Sequence, residues 1–95
     1  MKHTNFEFLI HKAYENRNRD VVEASGMLII EASELAELLH KKRWYNKDYS
    51  NDDVLSEAGD VLNFLTFILN EHKLTIEDAM KHNEQKLKQR GWINE

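Results

Sequence analysis

Apolar residues recur at Phe6, Leu9, Ile10 and Ala13, the i, i+3, i+4, i+7 spacing of a helix with one buried face. This predicts a first, amphipathic helix over about residues 4–17, ending at the Arg17-Asn18-Arg19 stretch. Asp20 followed by Glu23 has the spacing of a capping box and opens a second helix over about residues 20–43, which carries Gly26 at a cost of roughly 1 kcal/mol relative to Ala. Its end is marked by Lys41-Lys42-Arg43. Trp44 to Ser50 is polar and aromatic without period, so a loop of about nine residues is expected before Asn51-Asp52-Asp53 caps a third helix, over about residues 52–72. A fourth, over about residues 75–90, starts at Thr75, with Asp78 three positions on, and stops near Gly91. The pattern is all-α and fills a single domain over residues 1–95.

Two of these helices break the rule that a core stripe is apolar. On the second, positions 27, 31, 34 and 38 share a face and hold Met27, Glu31, Glu34 and Leu38. On the third, the matching face holds Glu57, Asp60, Phe64 and Phe67, while Ala58, Leu62, Leu65 and Leu69 make the other side apolar too. A helix apolar nearly all round is central, so its acids are expected to be partly buried. Converging carboxylates taken from water repel one another and cost several kcal/mol without a cation. Side chains three apart lie about one turn apart along a helix, so E-x-x-E and E-x-x-D on antiparallel neighbours aim four carboxylates at one point. All-oxygen donors, with no Cys and no paired His, suit a hard cation, Mg²⁺ or Mn²⁺, whose remaining positions take water and phosphate oxygens. The substrate class that follows is a phosphate ester or anhydride. Gly59, between the two acids of the third helix, leaves room for close helix approach, and simple packing explains it equally well. Glu37 stands four residues before Lys41, the spacing of a surface ion pair.

Composition narrows the classes further. With 95 residues, 41% hydrophobic and 32% charged, the chain has material for one modest core and no second domain. It has no Pro, three Gly and no Cys, which argues against an all-β fold, a disulfide scaffold and a thiolate zinc site. No apolar run is long enough for a bilayer and Met1 to Asn5 leads into no signal-type segment, so a soluble, cytoplasmic chain is expected. The net charge of −4 disfavours nucleic acid as a partner.

The basic residues have their own arrangement. Asn83, Lys86 and Arg90 fall on one face of the fourth helix with Leu87 beside them, and could hold a polyphosphate from the side opposite a metal; as helix-end cations they would equally satisfy the dipole. Phe6, Tyr14, Trp44, Tyr45 and Trp92 are the groups available to stack on a base, and core or interface packing is the competing use for each. Trp44 and Trp92 are expected just past helix ends. A third helix apolar on both faces leaves more apolar surface than one core can hide, which predicts self-association. Two rivals to phosphate chemistry are a helical regulatory or protein-interaction module without activity, and a di-iron bundle suggested by Glu37-Leu38-Leu39-His40. The second needs two E-x-x-H motifs on different helices, and the chain has one.

Taken together, I-I-E-A-S-E at 29–34, S-E-A-G-D at 56–60 and N-E-Q-K-L-K-Q-R at 83–90 resemble the MazG-like, all-α nucleoside triphosphate pyrophosphohydrolases over about residues 20–91. The resemblance implies a four-helix bundle-like subunit assembling as a dimer or tetramer. It implies Mg²⁺-dependent hydrolysis of a (deoxy)nucleoside triphosphate to the monophosphate and pyrophosphate. Position by position, Glu31, Glu34, Glu57 and Asp60 match the metal ligands, with Glu31 or Glu34 as the base that takes a proton from water. Lys86 and Arg90 match the family's basic pair, which implies phosphate contacts. Asn83 matches an Asn often found three residues before that Lys and is a candidate substrate contact with them, and so is Trp92. Ile30 departs from the pattern, standing where many members carry a further Glu.

Overall fold

A computed structural model describes residues 5–14 and 20–93 of the chain. It is all-helical, with four helices and no strand among the described residues: α1 (Asn5–Tyr14), α2 (Val21–Tyr45), α3 (Asn51–Glu71) and α4 (Ile76–Gln89). The expected extension of α1 to residues 4 and 15–17, and the stretch up to Arg19, lie outside the described residues.

Caps written into the sequence set most helix starts. The Asp20 carboxylate accepts from the Glu23 backbone N–H at 2.7 Å and starts α2. Thr75 and Asp78 form a reciprocal capping box on α4, at 3.1 Å and 2.9 Å. At α3 the cap is Ser50, paired with Asp53 at 3.1 Å and 2.9 Å, rather than Asn51. A hydroxyl one residue earlier completes the box with Asp53, which Asn51 cannot do, two positions before it. Helix α2 also runs two residues past Arg43, ending where Asn46 turns left-handed at φ 52°. Trp44 is therefore in the last turn of α2, and the expected loop of nine residues shrinks to residues 46–50.

Helices α2 and α3 pack against each other as an antiparallel hairpin, the arrangement a short connection enforces, and α1 lies against α3. The core is Ile10, Ala24, Phe64 and Phe67, with Phe6, Tyr14, Met27, Leu28 and Ile68 packed on it. Tyr14 stacks on Phe64 at 6.1 Å and meets Phe67 edge-on at 5.5 Å, so Phe6 and Tyr14 serve packing. The inward face of α1 differs from the expected one: Leu9 and Ala13 are exposed, and Glu7, Ile10 and Tyr14 point inward with Phe6. The inward stripe is rotated by about one position because the core it meets is aromatic on one side and polar on the other. Gly59 has nothing within 4 Å of the place a Cβ would occupy, so neither close helix approach nor packing within the subunit accounts for it.

Helix α4 stands apart. It buries no residue and makes no extended contact with another helix among the described residues. It closes with Gly91 at φ 75° in a Schellman arrangement, Trp92 N–H to the Leu87 carbonyl at 2.9 Å and Gly91 N–H to that of Lys88 at 3.0 Å. No described helix is long and apolar enough to cross a membrane.

Two substitutions check this account by urea denaturation at fixed protein concentration. Phe67→Ala is expected to cost about 3–5 kcal/mol and Ser50→Ala about 1 kcal/mol. A loss below about 1 kcal/mol at Phe67 would contradict the core assignment.

Candidate metal centre

The α2–α3 hairpin brings the predicted acids together. Glu31, Glu57 and Asp60 each present one carboxylate oxygen within 4.8 Å of the others, and all three side chains are half-buried. Capping explains the approach in part: Ser50 and Asp53 fix where α3 begins, and Glu57 and Asp60 follow at one and two turns. The Oε2 atoms of Glu31 and Glu57 are shielded from water and have no hydrogen-bond partner. Glu34 joins them from the side, hydrogen-bonded to both Glu31 and Glu57, although it is not one of the three whose oxygens all lie within 4.8 Å. It is exposed, because it lies about 60° around α2 from Glu31, at the rim of the hairpin.

The electrostatics are those of acids held together without compensation. Burial, then the charge of Glu34 and a side-chain hydrogen bond shared with it, then the charges of Asp60 and Glu57, push the Glu31 carboxyl above its ordinary value of 4.5. Glu57 is raised in the same direction by burial, then by Glu34, Asp60 and Asp53. Glu37 shows the opposite case: its 2.8 Å ion pair with Lys41 lowers its carboxyl and raises the lysine. That confirms the surface role expected of it. His40 Nδ1 lies 2.9 Å from the Ala36 carbonyl, so neither end of the E-x-x-H pattern is turned to a metal.

Two shielded oxygens with no protein partner, in an all-carboxylate donor set from two helices, fit a hard divalent cation. Such an ion would satisfy both lone oxygens and cancel the repulsion between the helices.

The remaining predicted residues are on α4 and are not gathered at the acids. Asn83 and Lys86 line an open groove of about 640 Å³ with Leu69, Leu74 and His82. Leu69 lies nine positions beyond Asp60, about 13 Å along α3. Arg90 caps the end of α4, and Trp92 is exposed, as is Trp44, over whose ring the Arg43 guanidinium sits at 5.6 Å. The cations of α4 divide into two sets. Lys81 pairs with Glu77 at 3.1 Å and Lys88 with Glu84 at 3.4 Å, whereas among the described residues neither Lys86 nor Arg90 is in an ion pair. Sequence reasoning missed Glu7, buried and bonded to the start of α4 at Ile76. Its only signal was a charge beside an apolar stripe.

A family model, the MazG nucleotide pyrophosphohydrolase domain, matches residues 23–91, well over half of the chain. No curated protein and no solved structure matches.

The raised carboxyls carry a stability consequence whose sign follows from linkage. The folded state binds protons more tightly than the unfolded chain between the ordinary value of 4.5 and the raised values of Glu31 and Glu57. Stability contributed by these groups therefore falls as pH rises through that window and stays low above it. In the absence of divalent cations, Glu57→Gln is expected to raise the melting temperature at pH 7, by a few degrees. A drop in melting temperature would show that the carboxylates are not in conflict.

Proposed function

The chain belongs to the MazG nucleotide pyrophosphohydrolase family, and we propose that it hydrolyses a (deoxy)nucleoside triphosphate to the monophosphate and pyrophosphate, with Mg²⁺ as the cofactor and Mn²⁺ as an alternative. The observation that carries this reading is the group of three carboxylate oxygens within 4.8 Å of one another, two of its side chains having a shielded oxygen that no protein group satisfies. Those acids are three of the four whose spacing matches the family pattern.

Glu31, Glu57 and Asp60 would hold the ion, with Glu34 contributing from the rim. When bound, Mg²⁺ neutralises phosphate charge and makes water at the site more acidic. Glu31 or Glu34 takes the proton of the water that attacks phosphorus. Glu34 is the one exposed enough to pass that proton on to solvent. Lys86 and Arg90, the α4 cations free of ion pairs, neutralise charge that develops on the phosphates, and Asn83 donates beside them. Trp92 supplies an aromatic surface near the end of the same helix. No covalent intermediate is required.

The reading includes a second copy of the chain, as a homodimer or homotetramer. The exposed surface is 7595 Å², against about 5,700 Å² for a folded monomer of this mass. The radius of gyration is 15.9 Å, against about 12.4 Å for a compact chain of this length. Val22 and Ile29, with Gly26 open between them, form an uncovered apolar stripe on α2. A partner covering such faces would also supply the close neighbour that α4 lacks. Action in the cytoplasm on free nucleotides, with no nucleic acid and no membrane as partner, completes the proposal, in keeping with a net charge of −4.

Pyrophosphate release from a panel of nucleoside triphosphates tests it: turnover of at least one is expected with Mg²⁺ or Mn²⁺ and none with chelator. Glu57→Gln is expected to cut that turnover by about a hundredfold or more, the loss of several kcal/mol of charge stabilisation. Full activity in Glu57→Gln would refute the site. A non-catalytic module would show no turnover and no stabilisation by Mg²⁺ with nucleotide. In sedimentation, the chain is expected to run as a dimer or larger, and a monomer at micromolar concentration would contradict the assembly.

A further inference from the structure

Among the described residues, the largest side chains fully removed from water are polar. Glu7, Thr66 and Thr75 are each at most 2% exposed, and Glu7 reaches from α1 to the start of α4, which Thr75 caps. Glu7 Oε2 accepts from the backbone N–H of Ile76 at 3.3 Å. The Asn70 amide, oriented by the acceptors around it, donates to the same oxygen at 3.3 Å and to the Leu74 carbonyl at 3.0 Å. Ile76 is the first residue of α4, so its N–H is one of the donors that no helix satisfies internally. A buried acid is an expensive way to fill space, and an apolar side chain there would leave that donor stranded.

We infer that Glu7 is the positioning residue of α4: its carboxyl group fixes the root of the helix that carries Asn83, Lys86 and Arg90, and so sets where those side chains stand. The inference rests on the phosphate role proposed for them. Helix α4 fully buries none of its residues and makes no extended contact with another helix among the described residues, so its root carries much of what fixes its direction. Lys86 lies about 15 Å and Arg90 about 21 Å from Ile76 along the axis, so a tilt of about 10° moves them by about 3 Å. Misplacement by 1 Å can cost up to about a hundredfold in rate. Helix α1 also precedes the family match, which begins at residue 23, so this contact links α4 to a part of the chain outside that match.

The chain has no cysteine, so nitroxides attached at Ser25→Cys and Gln85→Cys report the α2–α4 distance, in protein diluted with unlabelled chain to isolate distances within one subunit. Glu7→Leu is expected to widen the distance distribution at least twofold. In unlabelled protein it should lower kcat/KM for a nucleoside triphosphate about tenfold, chiefly through KM, while Mn²⁺ affinity stays within twofold. Ile76→Pro removes the donor without touching Glu7. Proline suits the first helical position, and Thr75, at φ −117° and ψ 166°, already has the extended backbone required before it. This variant should widen the distribution equally, whereas Ile76→Ala should not. Glu7→Gln, which keeps an oxygen for both donors, should restore the parental width. A folded Glu7→Leu or Ile76→Pro protein with the parental distribution overturns the inference. Absence of turnover in the parent defeats the proposed function alone, and the distance distributions still decide the role of Glu7.

Discussion

Packing α2 on α3 requires the hairpin to hold Glu31, Glu57 and Asp60 together against their own repulsion, with three of their oxygens within 4.8 Å. Each end of that arrangement is fixed by something stronger than the repulsion. Below the acids, Phe64 and Phe67 are locked by Tyr14 and Ile10. Above them, the Ser50–Asp53 capping box starts α3 at a fixed register. The hydrophobic core therefore works against the carboxylates, and the outcome is a site with raised proton affinity and two unsatisfied oxygens. A divalent cation would resolve that conflict better than protons, because one ion can neutralise several carboxylates at once and still accept phosphate oxygens.

The same economy explains the exposed surface. Three helices share one small core, and the fourth leaves through a polar junction made by Glu7, Asn70 and Thr75 instead of joining it. Among the described residues, α4 is held chiefly at its root, and its far end makes no extended contact with another helix. Lys81 and Lys88 are neutralised by glutamates one turn earlier, which stabilises the helix, and Lys86 and Arg90 remain available to an anion.

Much of this was legible along the chain. The four helices, the caps at Asp20 and Thr75 and the Gly91 stop follow from local chemistry: a hydroxyl or carboxylate satisfies the first N–H groups, and glycine tolerates positive φ. The facing of Glu31 with Glu57 and Asp60 follows from period and hairpin connectivity together. Where local signals compete, sequence alone placed boundaries less well. Ser50 displaced Asn51 as the cap because it pairs with Asp53, and Asn46 let α2 run through Trp44 by taking a left-handed turn.

Other features depend on neighbours remote in sequence. The apolar spacing of α1 places Leu9 inward and Glu7 beside the stripe, yet in the fold the acid goes inward and the leucine outward. Among the described residues, the N–H of Ile76, 69 positions away, and Asn70 give a buried carboxyl group partners that leucine could not use. Likewise, four acids with the same spacing differ in burial only once the hairpin closes: Glu31, Glu57 and Asp60 become half-buried, and Glu34 touches Glu31 and Glu57 while staying exposed. Sequence by itself determined which side chains could meet, because helical period fixes faces. Tertiary structure decided which of them do, because desolvation and hydrogen bonding are settled by the far side of the contact.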